Sequence, residues 1–420
     1  MTMESSSPHR VLILSMGELA SSGHLVKLAQ TFTDSGLRVT TLGFKTAADD
    51  PDTEESDRSE IVRLGLGSSS GPRTGYASSP NAPLGLRVRD RAKSLLFRFE
   101  WGRRLRERVL MRRAYSTFMD RNDQLSERAC QLSPDLVIAM QLTTLAAGAR
   151  VSRTLGIPLV YDCRDIAVES GWSGFDERRF AGLERRLIPA ADLVVAASPR
   201  MAARLAELYG VPMPAVIYNG SLQRAAQSTC VHEPVRLLFQ GRFAENRRLP
   251  ELLEAVQLLK DRVVLTLQGW GDVEVELRRL VGELNLEGTV HFAAPVPPTD
   301  ASLAASDHDI GIISYLGSTA NLRTTLPMKL FDYLGGGLAI AASDLPALRD
   351  VVEAEQCGVL FDPDSTESIV EKIGELLDQP GELARMKARS LSSWAKYSWE
   401  EQGLRYLEHI RVLLAPAGGR

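Results

Sequence analysis

Cysteine is scarce in this sequence, and the four present, Cys130, Cys163, Cys230 and Cys357, stand far apart with no C-x-x-C pair. A disulfide framework is therefore not expected, and reduced thiols in a cytoplasm are. Long apolar runs are missing as well: the early run 11–14 falls far short of the roughly 18 to 20 residues that cross a bilayer, so no membrane span is expected. No basic stretch leading into an apolar core of roughly 7 to 15 residues opens the chain, so no secretory signal is expected either. The six histidines show no i, i+4 pairing, which argues against a helical zinc site. Charge of one sign is not in excess: a formal net charge of -4 gives no general reason to bind nucleic acid.

What is present is the balance of a soluble globular protein, with 44% hydrophobic and 24% charged residues, in a chain of 420 residues that suffices for two or three domains with separate cores. Short β-branched runs ending in small residues alternate with helix-length amphipathic stretches, the signature of parallel βα units. A first series, at 11–17, 38–44, 134–140, 158–162, 191–198 and 215–220, reads as one doubly wound sheet. Residues 221–234 lack a periodic pattern and read as a linker. A second series follows at 235–240, 263–267, 289–292, 310–314, 338–342 and 358–361. The expected domains are 1–222 and 223–400, with a C-terminal helix at about 401–420 packing back on the first. Residues 47–86, rich in Ser, Gly, Pro and Asp, read as a mobile surface loop.

In an open α/β sheet ligands bind beyond the carboxyl ends of the strands, and three loops there carry chemistry. In Gly241-Arg-Phe-Ala-Glu-Asn-Arg-Arg248, Arg242 and Arg247 suit a phosphate clamp, or are two solvated surface arginines. In Thr324-Thr-Leu-Pro-Met-Lys-Leu-Phe-Asp-Tyr-Leu-Gly-Gly-Gly337, Pro327 sits in the first turn of a helix whose free N–H groups would receive a diphosphate. Lys329 and Asp332 share nearly one face there, a cation for phosphate and a carboxylate for ribose hydroxyls, or else an exposed Lys-Asp pair. Third, Gly17-Glu-Leu-Ala-Ser-Ser-Gly23-His24 is a weak match to a Gly-rich phosphate loop, and its glycines equally suit a turn. Asp307-His-Asp309 imitates a metal-binding D-x-D, but it precedes a strand where a ligand site should follow one, so it is discounted and no metal is expected. Residues 87–113 are strongly basic with interleaved Leu, Phe and Trp, and read either as a helix lying on an anionic membrane or as a long solvated helix.

Taken together, these segments resemble the GT-B glycosyltransferases, an α/β class with two Rossmann-like domains facing each other across a cleft, and in particular the retaining glycosyltransferase family 4. Pro327-Met-Lys-Leu-Phe-Asp-Tyr-Leu-Gly-Gly-Gly337 resembles that family's donor-site helix, Gly241, Arg242 and Arg247 its diphosphate clamp, and Gln268-Gly-Trp-Gly-Asp272 its G-x-G turn beside the nucleotide base. Tyr161-Asp-Cys-Arg-Asp165 falls where the family has an acceptor-side loop. The family's Glu-x7-Glu pair is here Thr324 and Asp332, its clamp lysine is Arg247, and Arg164-Asp165 stands where many relatives have His-Asp.

The resemblance implies transfer of a hexosyl-type sugar from a nucleoside diphosphate sugar, with UDP or GDP expected, to a carbohydrate, lipid-linked or small-molecule acceptor. Configuration would be retained, and no cofactor is expected. Arg242, Arg247 and Lys329 would stabilise the leaving diphosphate and Asp165 would orient the acceptor. Gly17, Gly241, Gly269, Gly271, Thr324, Thr325, Leu326 and Asp332 complete the implied donor site. A cytoplasmic protein, peripheral at the inner membrane face if residues 87–113 bind lipid, is expected. The competing readings are a non-catalytic nucleotide-sugar-binding subunit, which the altered Thr324 and Asp332 permit, and a hydrolase or epimerase, for which no paired carboxylates stand out.

Overall fold

The computed structural model describes residues 8–17, 19, 23–47, 50–56, 58–65, 100–170, 177–227 and 230–415, with the backbone alone described at 100–110, 177 and 260. Residues 87–99 of the basic segment therefore lie outside the described residues, as does most of the loop between Gly17 and Gly23. The remainder of the basic segment begins a long helix, Glu100–Leu132, on which Arg112 and Arg113 are exposed.

Two sheets form the frame. The first contains β1 (Arg10–Leu14), β2 (Arg38–Phe44), β3 (Thr53–Ser56), β4 (Ser59–Leu64), β5 (Leu136–Met140), β6 (Leu159–Cys163), β7 (Leu193–Ala196) and β8 (Ala215–Val216), in the order β3-β4-β2-β1-β5-β6-β7-β8. The second contains β9 (Val235–Phe243), β10 (Val263–Gly271), β11 (Val290–Ala293), β12 (Ile310–Ile313), β13 (Ala339–Ser343) and β14 (Gly358–Phe361), in the order β11-β10-β9-β12-β13-β14. Pairing in the second sheet is parallel throughout, with register such as Leu265 opposite Leu237 and Ile310 opposite Ala339. Strands of this kind, covered on both faces, need near-continuous apolar runs, and 136–140 and 339–343 are buried at every position.

The stretch 53–64 is not a loop as expected: β4 pairs parallel with β2, and β3 returns antiparallel on β4. The polar sequence of β3 suits its place at the edge of the sheet, and β4, one strand in, carries only a short apolar run at Ile61-Val62. Arg63, buried in this edge, pairs with Glu54 at 2.7 Å and donates to the Pro51 carbonyl.

By contacts the chain divides into two compact units, one of Met1–Ser22, Ser35–Tyr161 and Gly171–Asp192, the other of Gly23–Asp34, Asp162–Ser170 and Leu193–Arg420. Within the first, the helix Gln141–Leu155 lies close on the sheet because Gly148 has no side chain: a Cβ there would sit 2.9 Å from Ala139 and from Leu159. Within the second, the last helix, Trp399–Leu414, packs on the helix Gly23–Asp34. Trp399 Nε1 donates to Thr31 Oγ1 at 2.9 Å, and Tyr406 meets Phe32 edge to face at 5.6 Å.

The D-x-D carboxylates are committed to the frame at the start of β12. Asp309 is fully buried and paired with Lys387 at 2.5 Å, and it accepts from the Arg236 and His232 backbone N–H groups, while Asp307 pairs with Arg236. Burial alone would raise the Asp309 carboxyl, but these donors outweigh it and hold it below the usual carboxylate range. Removing one partner of a buried pair strands the other charge, so Lys387→Met is expected to cost about 3 to 5 kcal/mol in urea unfolding; a loss under about 1 kcal/mol would show that the pair does not anchor this end of the sheet.

Candidate functional site

Strands β9 and β10 continue side by side past their neighbours, and glycine makes the continuation possible. Gly241 (φ +118°) lies opposite Gly269 (φ +155°), and a Cβ built on Gly269 would come 1.9 Å from the Gly241 carbonyl oxygen. Gly271 is bound in the same way by the Phe243 carbonyl, also 1.9 Å from its would-be Cβ. Bare backbone thus opens onto a cavity flanked by Trp270, which is more than half exposed.

Two arginines stand at the end of β9 and just after it. Arg242 is exposed and its guanidinium pairs with Asp272 at 2.5 Å across the strand ends. Arg247 closes a short 3-10 turn and stacks on the Tyr315 ring at 3.9 Å. Its Nη1 is buried and meets no acceptor among the described residues, which leaves a desolvated donor facing the cavity wall.

The helix Met328–Gly336 supplies the opposite wall. Pro327 is its N-cap and not a first-turn residue, and Gly337 (φ +73°) ends it in a left-handed cap. The N–H groups of Met328 and Lys329 in its first turn have no intrahelical acceptor, while the Leu330 N–H donates to the Pro327 carbonyl at 3.1 Å. The helix is fixed to the sheet by Tyr333, whose hydroxyl accepts from Gln240 N at 2.8 Å and lies 3.3 Å from the Leu238 carbonyl. Gly311 makes room for that ring: a Cβ there would fall 2.2 Å from it. Lys329 rises from the first turn under Gly241, with Nζ 3.6 Å from the centre of the Phe239 ring. No carboxylate comes within ion-pair distance of it among the described residues.

One cavity therefore gathers Gly241, Arg242, Arg247, Gly269, Lys329 and Asp332, with Trp270, Tyr315 and Pro327. A second, adjoining cavity is lined by Asp165, Arg247, Tyr315, Asn321 and Thr325. Thr324, Leu326 and Gly271 line neither. The Thr324 hydroxyl is turned back to the Ala320 and Asn321 carbonyls at 3.2 and 3.1 Å, and Leu326 is buried in the core. Gly17 belongs to the other unit, where its N–H donates to Ser15 Oγ.

Sequence reasoning missed Tyr315 and Asn321. Tyr315 comes two residues after β12 ends, so the rule of searching beyond strand ends contained it. Asn321 carried no signal, yet it clamps the 165–166 turn: its Nδ2 donates to Asp165 Oδ1 at 3.0 Å and its Oδ1 accepts from Ile166 N at 2.7 Å. Arg164 turns away from the cavity, bonding Asp162 and the Ile217 carbonyl. Asp162 also meets His24 Nε2 at 3.2 Å and accepts from the Tyr406 hydroxyl at 3.1 Å. Burial and the Arg164 charge lower the His24 imidazole to about 4, so it is neutral near pH 7.

Residues 22–220 match the family model described as a glycosyl transferase 4-like domain, and residues 234–379 match the one described as glycosyl transferases group 1. The D-inositol 3-phosphate glycosyltransferase 1 of Catenulispora acidiphila is 25% identical over 315 residues, covering 68% of this chain and 74% of that one. The phosphatidyl-myo-inositol mannosyltransferase of Mycolicibacterium smegmatis is 28% identical over 167 residues, 39% of this chain and 41% of that one. Among solved structures, a sucrose-phosphate synthase from Thermosynechococcus elongatus has a TM-score of 0.68 at 17% identity, covering 96% of this chain and 99% of its own. Anabaena HepE, solved in complex with UDP, has a TM-score of 0.65 at 15% identity, covering 96% and 100%. The fold they share is the doubled Rossmann-like arrangement of GT-B proteins.

Charge inside the cavity is poised. Burial, reinforced by the Arg247 charge and opposed by Asp332, pushes the Lys329 ammonium well below its usual range. Burial raises the Asp332 carboxyl to about 7, with the Lys27 charge and the Ser302 hydroxyl pulling the other way. A carboxyl raised in the folded state contributes stability that is present below its unfolded value near 4 and lost as pH rises through about 7. Asp332→Asn is thus expected to match the parent in thermal stability near pH 4 and to exceed it increasingly up to about pH 7, with a plateau above; parallel melting curves across that range would show that Asp332 is ionised throughout.

Proposed function

Because the chain belongs to the 4-like GT-B glycosyltransferases, we propose that it transfers a hexosyl-type sugar from a nucleoside diphosphate sugar, UDP- or GDP-linked, to an acceptor hydroxyl with retention of configuration. The observation that carries this reading is the pair of desolvated cations, Arg247 and Lys329, at the start of a helix and beside bare glycine backbone. Breaking the anomeric bond leaves negative charge on the β-phosphate oxygen, and a preorganised cation stabilises that charge most where water is excluded. Arg247, held on the Tyr315 face, offers a guanidinium fork, and Lys329 with the first-turn N–H groups offers a point charge and dipoles. Arg242, paired with Asp272, lies at the exposed rim, where it attracts the donor before closing on it.

Trp270, exposed beside Gly269, suits stacking on a nucleobase, and Asp332 suits the ribose hydroxyls. Asp165, held through one oxygen by Asn321, orients a hydroxyl with the other, while the acceptor hydroxyl attacks on the face that the diphosphate leaves. The chemistry runs on protein cations in this reading, since both D-x-D carboxylates are engaged in ion pairs elsewhere.

Purified protein is to be tested with UDP-, GDP-, ADP-, CDP- and TDP-sugars for thermal stabilisation and slow donor hydrolysis. One donor is expected to stabilise the fold and release its nucleotide. Binding without release, even with acceptors supplied, would favour a non-catalytic subunit, and no binding at all would remove the assignment. Arg247→Ala is expected to lower turnover by about 10² to 10³ while preserving the fold; near-normal turnover would exclude Arg247 from the clamp. A dianion beside Lys329 favours its ammonium over the neutral amine, so nucleoside diphosphate affinity is expected to fall as pH rises, a dependence that Lys329→Met flattens; an unchanged dependence in that variant would exclude Lys329 from the phosphate contact.

A further inference from the structure

Resting on the nucleotide-sugar reading, we propose that the sugar carried by the donor is a 6-deoxyhexose, with its methyl group seated among leucines in the second cavity. Arg247, Tyr315 and Pro327 line both cavities. If the diphosphate lies on that shared wall with the base toward Trp270, the donor's sugar extends into the second cavity, of about 160 Å³.

The walls of that cavity differ in kind. On one side stand Leu322, Leu345 and Leu348, the last two buried in the core. Leu345 owes its place to Gly317, where a Cβ would come 2.5 Å from Leu345 Cδ2. On the other side the polar groups are largely engaged with one another. Asn321 Oδ1 accepts from Ile166 N and lies 3.3 Å from Thr325 Oγ1, and its Nδ2 is given to Asp165. Thr324 does not line this cavity, its hydroxyl being bonded to its own helix.

A fully hydroxylated hexose entering here turns a hydroxyl toward leucine side chains, where it loses water and gains no partner. A sugar with methyl in place of hydroxymethyl buries that corner without the loss. Apolar pockets of this kind reject an added hydroxyl by about tenfold to a hundredfold.

The test uses the full chain and donor pairs that differ only at C6: UDP-glucose against UDP-6-deoxyglucose, and GDP-mannose against GDP-6-deoxymannose. Calorimetric Kd and donor-hydrolysis kcat/KM are measured, with free UDP and GDP alongside. The expected result is a preference for the deoxy member of the pair bearing the accepted nucleotide, by about tenfold or more. Leu322→Asn, at a half-buried position that tolerates a polar side chain, is expected to narrow that preference several-fold without changing the affinity for the free nucleotide. Equal or better use of the hydroxylated sugar, with the nucleotide still binding, overturns this inference and leaves the donor site standing. Failure of both free nucleotides and all four sugars to bind overturns the UDP or GDP donor reading and this inference with it.

Discussion

The site is organised around two basic side chains, Lys329 and Arg247, that have no carboxylate within ion-pair distance among the described residues. Lys329 lies over the Phe239 ring and Arg247 over the Tyr315 ring, and each arrangement gives a cation the negative face of an aromatic quadrupole in place of a carboxylate. Aromatic faces compensate a desolvated charge only in part, so the cavity retains a standing demand for an anion. The surrounding structure serves that demand. Tyr333 pins the helix that carries Lys329, Gly311 admits Tyr333, and the glycines of β9 and β10 bring backbone close to where an anion would lie.

A second charge network is closed mainly by ion pairs and hydrogen bonds among its own members, with the His24 Nδ1 buried and without a hydrogen-bond partner among the described residues. Asp162 is satisfied by Arg164, His24 and Tyr406 together, and Lys27 by Asn219 and the Gly220 carbonyl. Burial alone would raise Asp162, yet the Arg164 and His24 contacts hold it well below the ordinary carboxylate range. The two networks have opposite functions in this reading. The ion pairs of Asp162 with Arg164 and His24 hold elements in place, whereas Arg247 and Lys329 face the cavity without an ion pair among the described residues.

The strands were legible in the sequence wherever both faces are covered, because burial on both sides leaves no alternative to a continuous apolar run, as at 136–140 and 339–343. β3 and β4 were not: β3 is a polar edge strand held mainly by backbone pairing, and β4 beside it shows only the short apolar run Ile61-Val62. Within the candidate site, the residues fixed by local geometry were readable: glycines at strand ends, a proline opening a helix, a lysine one residue into it. Those fixed by long-range contact were not. Nothing local tells Arg164 from Asp165, and the turn that aims one inward and the other at the cavity depends on Ile217 and on Asn321, 53 and 155 residues away from their partners in these bonds. Thr324 shows the same limit, for a threonine near the end of a five-residue helix bonds readily to the preceding turn.

The paired glycines of β9 and β10 also constrain how this protein can change. At Gly269 and Gly271, where a Cβ would stand 1.9 Å from a carbonyl oxygen, no other amino acid fits without separating the strands, so the floor of the cavity is closed to gradual substitution. Trp270, exposed at the rim between two such glycines, is free of that restriction. New ligand preferences in this lineage would therefore arise at the margins of the cavity while its base stays the same, much as a lock is re-pinned inside an unaltered housing.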